Sequence, residues 1–236
     1  MLPELQRRVE DPNINISILP TSDNHRGSAL ASLLAFGLTE EALAVMMEMM
    51  NITFLVEDYV GGGLRNPDLV ALKSRRDVTH HRLLSLPTGP ALSDSLGENA
   101  DFYECCRLVA IMYATAVLFP MPRFSGVPQK LVKEIKSCVE KIDVLILRGG
   151  GRHFFIWVLA LTGVAAMGLP ERPWFEEQLA TLLTLESVSR WMELKRIFTS
   201  FMWMDTACDE GAMELWDEIA ATTLLRSERR TALPTP

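Results

Sequence analysis

The sequence has no C-x-x-C pair, no G-x-S-x-G nucleophile elbow and no strong strand signal. Its four cysteines, Cys105, Cys106, Cys138 and Cys208, are scattered. Adjacent cysteines rarely bridge each other, so the pattern predicts buried free thiols in a reducing compartment. Sustained apolar/polar alternation is missing, and no Asn-Gly turn joins two β-branched runs, which argues against hairpins. The N-terminus, MLPELQRRVEDPN, is too polar for a signal peptide. The longest apolar run, Phe154 to Leu169, falls short of the about 20 residues that span a bilayer. Pro170 closes it and Gly163 and Gly168 interrupt it, so we read a buried core helix, with a hairpin anchor as the alternative. Clustered basic residues are also lacking. A net charge of -7 favours solubility and argues against direct contact with phosphates.

What is present is helical periodicity. A chain of 236 residues with 48% hydrophobic content can bury a large core without metal or disulfide support. The expected fold class is all-α, a single globular domain of about eight to ten helices. Residues 1–26 form an extended lead-in, 27–226 the helical domain and 227–236 a flexible tail. Helices are expected at Ser28 to Phe36, Thr39 to Tyr59, Asp68 to Leu86 and Asp101 to Phe119. Further helices are expected at Val127 to Ile142, Arg152 to Met167, Arg172 to Leu185, Ser187 to Thr206 and Gly211 to about Arg226. Thr39 is the expected N-cap of its helix, with Glu40 and Glu41 matched to the positive end of the dipole. Thr88 to Asn99, rich in Gly, Pro, Ser and Asp, is expected to be loop. Between Val127 and Ile142, Leu131, Ile135, Cys138 and Ile142 fall on one stripe, the clearest amphipathic pattern in the chain. In Ser187 to Thr206, Ser189, Glu193, Arg196 and Ser200 form one narrow polar face.

Several side-chain groups could carry chemistry, and each has a plainer reading. Gly149-Gly150-Gly151 precedes a helix, but no G-K-[ST] comes after it, so it reads as a joint. Gly61-Gly62-Gly63 reads as a helix stop. His80 and His81 point about 100° apart on a helix and read as surface histidines, not as a zinc pair. Asp205, Asp209 and Glu210 lack the second carboxylate cluster that magnesium–diphosphate chemistry needs, and read as a solvated helix end. Met46, Met47, Met49 and Met50 read as core filling, with an adaptable binding face as the alternative. The tryptophans Trp157, Trp174, Trp191, Trp203 and Trp216 are expected to stitch the last four helices into one cluster, each contributing roughly 1.5–3 kcal/mol or more if buried. No catalytic, cofactor-binding or metal-ligating residue is assigned.

The last third carries a recognisable order. Phe155-Ile156-Trp157-Val158-Leu159 and Thr162-Gly163-Val164-Ala165-Ala166 precede Pro170-Glu171-Arg172-Pro173-Trp174-Phe175. Next come Trp191, Glu193, Lys195, Ile197, Phe201 and Trp203 in a W-x-E-x-K-x-I-x-x-x-F-x-W pattern, then Leu215-Trp216. This order resembles the regulatory domain of fungal zinc-cluster transcription factors, over about residues 150–220 and more weakly over 15–225. The matching positions Trp157, Gly163, Arg172, Trp174, Trp191, Glu193, Trp203 and Trp216 are read as structural, Arg172 as a cap or ion-pair partner near its turn. The resemblance implies a non-catalytic nuclear regulator that responds to effectors, contributes dimer contacts and controls activation; a truncated form could stay in the cytoplasm. The six-cysteine, two-zinc module of those factors is absent from this sequence, so no cofactor and no direct nucleic-acid binding is expected of the chain, and no membrane contact. The partners implied are a second copy, a full-length transcription-factor relative or a small-molecule effector. A helical enzyme or carrier for an apolar small molecule is the alternative function, and a pure dimerisation scaffold a third.

Overall fold

The computed structural model describes residues 26–61, 66–122, 125–143 and 150–231. Residues 1–25 of the expected 1–26 lead-in, Gly149 and residues 232–236 of the expected tail lie outside them. All regular structure among the described residues is helical, in agreement with the all-α expectation.

The first element is α1, Arg26–Ala31, which tightens into a 3-10 turn over Ser32–Phe36. Gly37 ends it at φ +105°, a left-handed conformation that glycine adopts without penalty. A side chain there would also run into Cβ of Asn99, 2.4 Å from the ideal Cβ position. Helix α2, Glu40–Val60, starts where Thr39 accepts a hydrogen bond from the Ala42 amide at 3.2 Å. It stops at Gly61, whose amide donates to the Glu57 carbonyl. Met46, Met49 and Met50 are buried, so the methionine run fills core.

Helix α3, Asn66–Ser85, packs against α2. Between Gly89 and Asn99 the chain is not open loop but three successive short turns, with α4, Ser93–Leu96, between two 3-10 turns. The Gly, Pro, Ser and Asp content that suggests a loop is equally suited to tight turns, since Pro90 sits where its missing N–H has no partner to lose. Helix α5, Ala100–Tyr113, then gives way to a π turn over Ala114–Leu118, closed by the Phe119 amide donating to the Ala114 carbonyl at 2.7 Å.

Glu104 anchors the turns to α5. Its carboxylate accepts from the Gly89 amide at 2.7 Å and from both Nε and Nη2 of Arg107, at 2.8 and 2.6 Å. Burial alone would raise this carboxyl; the Arg107 fork and the Gly89 amide outweigh it and hold the group below its ordinary 4.5. A carboxyl depressed in the folded state stabilises the fold above the unfolded pKa, and that contribution is lost as pH falls through the folded value. Acid unfolding should therefore include a Glu104 component that sets in as pH falls through the ordinary 4.5 and is complete below the lower folded-state value. Replacing Glu104 with Gln should flatten that part of the stability–pH curve measured by urea titration; an unchanged slope would contradict the assignment.

Helix α6, Val127–Val139, buries Leu131, Val132, Ile135, Cys138 and Val139 along the stripe read from sequence. Helix α7, Gly150–Ala165, starts two residues earlier than expected: Gly150 and Gly151 form its first turn instead of breaking the chain. It touches α5, α6, the first 3-10 turn and the three helices after it. Phe154 to Gly163 are all buried, and a stretch covered on all sides has no need of a polar face. Helix α8, Arg172–Leu185, has the bounds that Pro173 and its period predict.

The expected helix from Ser187 to Thr206 is a correction. Helix α9 covers only Trp191–Thr199, and α10 begins at Asp205 and runs to Thr231. Ser187 is left-handed at φ +55°, so Ser187 and Ser189 lie outside α9. Phe201, Met202, Trp203 and Met204 are all buried. Four consecutive buried side chains do not fit one face of a helix, and a non-helical connector lets them enter the core in different directions. Two glycines let α7 and α10 approach: a Cβ on Gly163 would stand 3.0 Å from Leu215, and one on Gly211 2.6 Å from Val164.

Candidate functional site: braced C-terminal helices and an adjoining cleft

The signature positions fall on helices α7 to α10 and the connectors between them. Trp157 is fully buried on α7 and donates its indole N–H to the Met202 carbonyl at 2.8 Å. That carbonyl is available because residues 200–204 are not helical. Around the indole stand Phe154, Phe201 and Tyr113, with ring centroids 5.7, 5.8 and 6.3 Å away. Tyr113 in turn shares a hydrogen bond with Thr53 of α2 at 3.0 Å.

Trp203 belongs to a second ring group. It stacks on Phe198 at 4.2 Å, and Trp191 meets Phe198 edge-on at 6.3 Å. The indole N–H of Trp203 donates to Asp209 at 2.8 Å. Lys195, only 12% exposed, pairs with Asp205 at 2.8 Å and with Asp209. Of the three carboxylates expected to be a solvated helix end, Asp205 and Asp209 are thus the acceptors of a lysine that ties α9 to α10, while Glu210 is exposed. Glu57 of α2 accepts a further bond from the Asp205 amide at 2.9 Å. Glu193 caps α9 by accepting the Ser189 and Arg190 amides at 3.1 and 3.2 Å.

Arg172 makes the third brace. Its side chain is 9% exposed. Nη1 donates to the Gly163 carbonyl at 2.7 Å, Nη2 to Glu218 at 2.6 Å, and Nε to Glu176 at 3.0 Å. One guanidinium therefore joins α7, α8 and α10. All five tryptophans belong to or pack against one hydrophobic core, as expected; within it Trp157 and Trp203 stand in separate ring groups, while Trp174, Trp191 and Trp216 are half-buried at its edge.

Trp174 lies edge-on to Phe175 and forms one wall of a cleft of about 330 Å³ between α6, α7 and α8. Leu159, Leu182 and Ile142 line it, and Glu140 and Asp143 stand with them.

Elsewhere, His80 departs from the surface reading. It stacks on Phe119 at 4.3 Å, and burial pulls its imidazole below the ordinary 6.5, Asp77 opposing and Arg76 adding to the shift. Arg76 also lies 4.3 Å from the Phe119 centroid and donates to the Leu118 carbonyl at 3.4 Å, tying α3 to the π turn. All four cysteines are buried and free. Burial pushes every one of these thiols up, Cys138 and Cys208 to about 11, which suppresses the thiolate a nucleophile needs. Among the described residues no group of three or more His, Cys, Asp or Glu is placed to hold a metal ion, and no helix is long and apolar enough to cross a membrane.

Sequence reasoning misses the partners in these braces. Glu218 and Gly163 are 46 and 9 residues from Arg172, and no local pattern marks either as its partner. Lys195 stands in the signature, but its role depends on two acids one helical turn apart on the next helix, a spacing visible in the sequence and read there as solvent-facing.

No curated protein and no solved structure matches the chain significantly. A family model does: the fungal specific transcription factor domain matches residues 67–195, just over half of the sequence. The match begins in α3 and ends in α9 at Lys195, and so takes in Arg172, Trp157, Trp174 and the cleft. By that match, and by the signature packed through α7 to α9, this chain belongs to the fungal specific transcription factor domain family.

Proposed function

We propose that the chain is the regulatory domain of a fungal transcription factor, acting in the nucleus without catalysis of its own. It controls activation, answers to an effector and contributes dimer contacts with a second copy or a full-length relative. The family match over residues 67–195 carries this reading. The disposition of polar groups supports it: Arg172, Lys195 and Glu104 are used to brace helices, not to converge on a reacting centre. The net charge of -7 favours contact with DNA through another module over contact by this chain.

The test is a reporter assay. The chain is inserted between a heterologous DNA-binding module and a constitutive activation segment, with no ligand added. Lowered reporter output relative to the same fusion without the chain is expected, with output restored when Trp157→Ala disrupts the core. Output unaffected by the insertion at equal protein level would overturn the reading.

A further inference from the structure

Helices α9 and α10 turn opposite charges to solvent and leave them unused. On α9, Met192 is 62% exposed, and Arg196, four residues on, is exposed beside it. Arg190, the N-cap residue, is also exposed and reaches Glu193 only at 4.0 Å. Glu193, the one acid of α9, is turned back onto the Ser189 and Arg190 amides. On α10, Glu210, Met213, Glu214 and Asp217 recur at intervals of three and four, which sets them on one side of the helix. All four are exposed, Met213 to 48%, while Cys208, Ala212, Leu215 and Ile219 hold the other side in the core. Among the described residues, Arg196 has no carboxylate partner and Glu210, Glu214 and Asp217 have no cation. Lys195 bridges the two helices through Asp205 and Asp209. Arg196 and Glu210 directly follow Lys195 and Asp209 in sequence, so the cationic and the anionic face flank one join.

We propose that two copies of this chain associate through this surface about a two-fold axis, the α9 face of one protomer on the α10 face of its partner and the reverse. A two-fold contact uses the same patch twice, so the patch must complement itself. One that carries both signs on separate helices meets that condition, whereas a face of one sign repels its own copy. At a net charge of -7 two copies repel on the whole, but that repulsion is screened beyond about 8 Å at physiological ionic strength. At contact the paired guanidiniums and carboxylates set the register. The exposed methionines supply apolar contact with side chains that adapt to a partner, and methionine and arginine are both enriched in interfaces. Each face rises only about 10 Å along its helix, so the contact is small, and association is weak and salt-sensitive. This surface gives the dimer contacts of the regulatory reading a location, and it rests on that reading.

Sedimentation velocity of the full chain, at up to about 200 µM in about 50 mM salt, tests the proposal. A monomer–dimer equilibrium is expected, weakened at least about tenfold in about 500 mM salt. The α9 double variant Arg190→Glu with Arg196→Glu should be monomeric, and so should the α10 double variant Glu210→Lys with Glu214→Lys. Mixed in equal amounts, the two variants present opposite faces to each other again and should form a heterodimer. Because Arg190 is the N-cap of α9, Met192→Glu and Met213→Lys serve as a second pair, away from the cap. Each of these should weaken association at least about tenfold, and their mixture should recover it. Circular dichroism shows which variants are folded. A parent that stays monomeric at low salt, a folded variant that dimerises as the parent does, or a mixture of folded variants that stays monomeric would each overturn the proposal. A monomeric chain can still lower the reporter output of its fusion, so failure of this surface and failure of the regulatory reading are separable.

Discussion

Replacing Trp157 with alanine should cost about 4 kcal/mol of folding stability, the largest effect we expect from any single substitution. The indole is completely buried and meets Phe154, Phe201 and Tyr113 on α7, the 200–204 connector and α5. Its removal leaves a cavity in the one helix that touches most of the others, so the surroundings cannot easily collapse into it. It also takes the donor from the Met202 carbonyl, and a buried acceptor left without a partner costs a further about 1–3 kcal/mol where water cannot reach it. Native domains have only about 5–15 kcal/mol to lose, so Trp157→Ala should unfold at much lower urea, or fail to fold at 37 °C. Trp157→Phe separates the two contributions: it keeps most of the ring contacts and loses the hydrogen bond, and should cost about half as much. A loss under about 1 kcal/mol for the alanine variant in equilibrium urea unfolding would show that the indole is not a packed core element.

Arg172→Met is expected to cost about 2–3 kcal/mol. The guanidinium is almost fully covered and supplies three helices with a donor each. Removing it takes the charged donor from the Gly163 carbonyl, which keeps only the 3.1 Å bond from the Ala166 amide, and this accounts for most of the loss. The carboxylates lose less, since the Glu218 side chain is 50% exposed and can turn to water. Arg172→Lys tests the geometry. One ammonium cannot span the positions that the flat fork reaches together, so lysine should recover less than half of the lost stability. Glu218→Gln should cost less than about 1 kcal/mol. Should Glu218→Gln prove as damaging as Arg172→Met in the same urea titrations, the ion pair and not the carbonyl contact would be the source of the effect.

How much of this can be read from the residues depends on whether the cause is local. Thr39 and Pro173 set boundaries by backbone chemistry within one turn, and the helices beside them lie where expected. The Leu131, Ile135 and Cys138 stripe needs only the helical period, and it faces the core. The failures share a different origin. Nothing in Phe201-Met202-Trp203-Met204 forbids a helix; the segment is non-helical because its four side chains enter the core and its backbone carbonyl receives Trp157 from 45 residues away. His80 reads as a surface residue because its neighbours in sequence are polar, whereas its actual neighbour is Phe119. The Trp174 cleft is legible only as a general alternative, because its lining comes from α6, α7 and α8 and no single stretch carries the pattern.

The π turn at Ala114–Leu118 sets the phase of the chain beyond it. It takes one residue more per turn than the α-helix before it, and each residue removed or added rotates the downstream chain by about 100°. Helix α5 can therefore keep Cys105, Cys106, Val109 and Met112 inward while Phe119 is re-aimed at Arg76 and His80 on α3. The length of this segment is constrained far more tightly than its composition. A different small side chain at the exposed Ala116 leaves the alignment intact, whereas deleting that residue swings the Phe119 ring away from the guanidinium and imidazole it meets and detaches α3 from the end of α5.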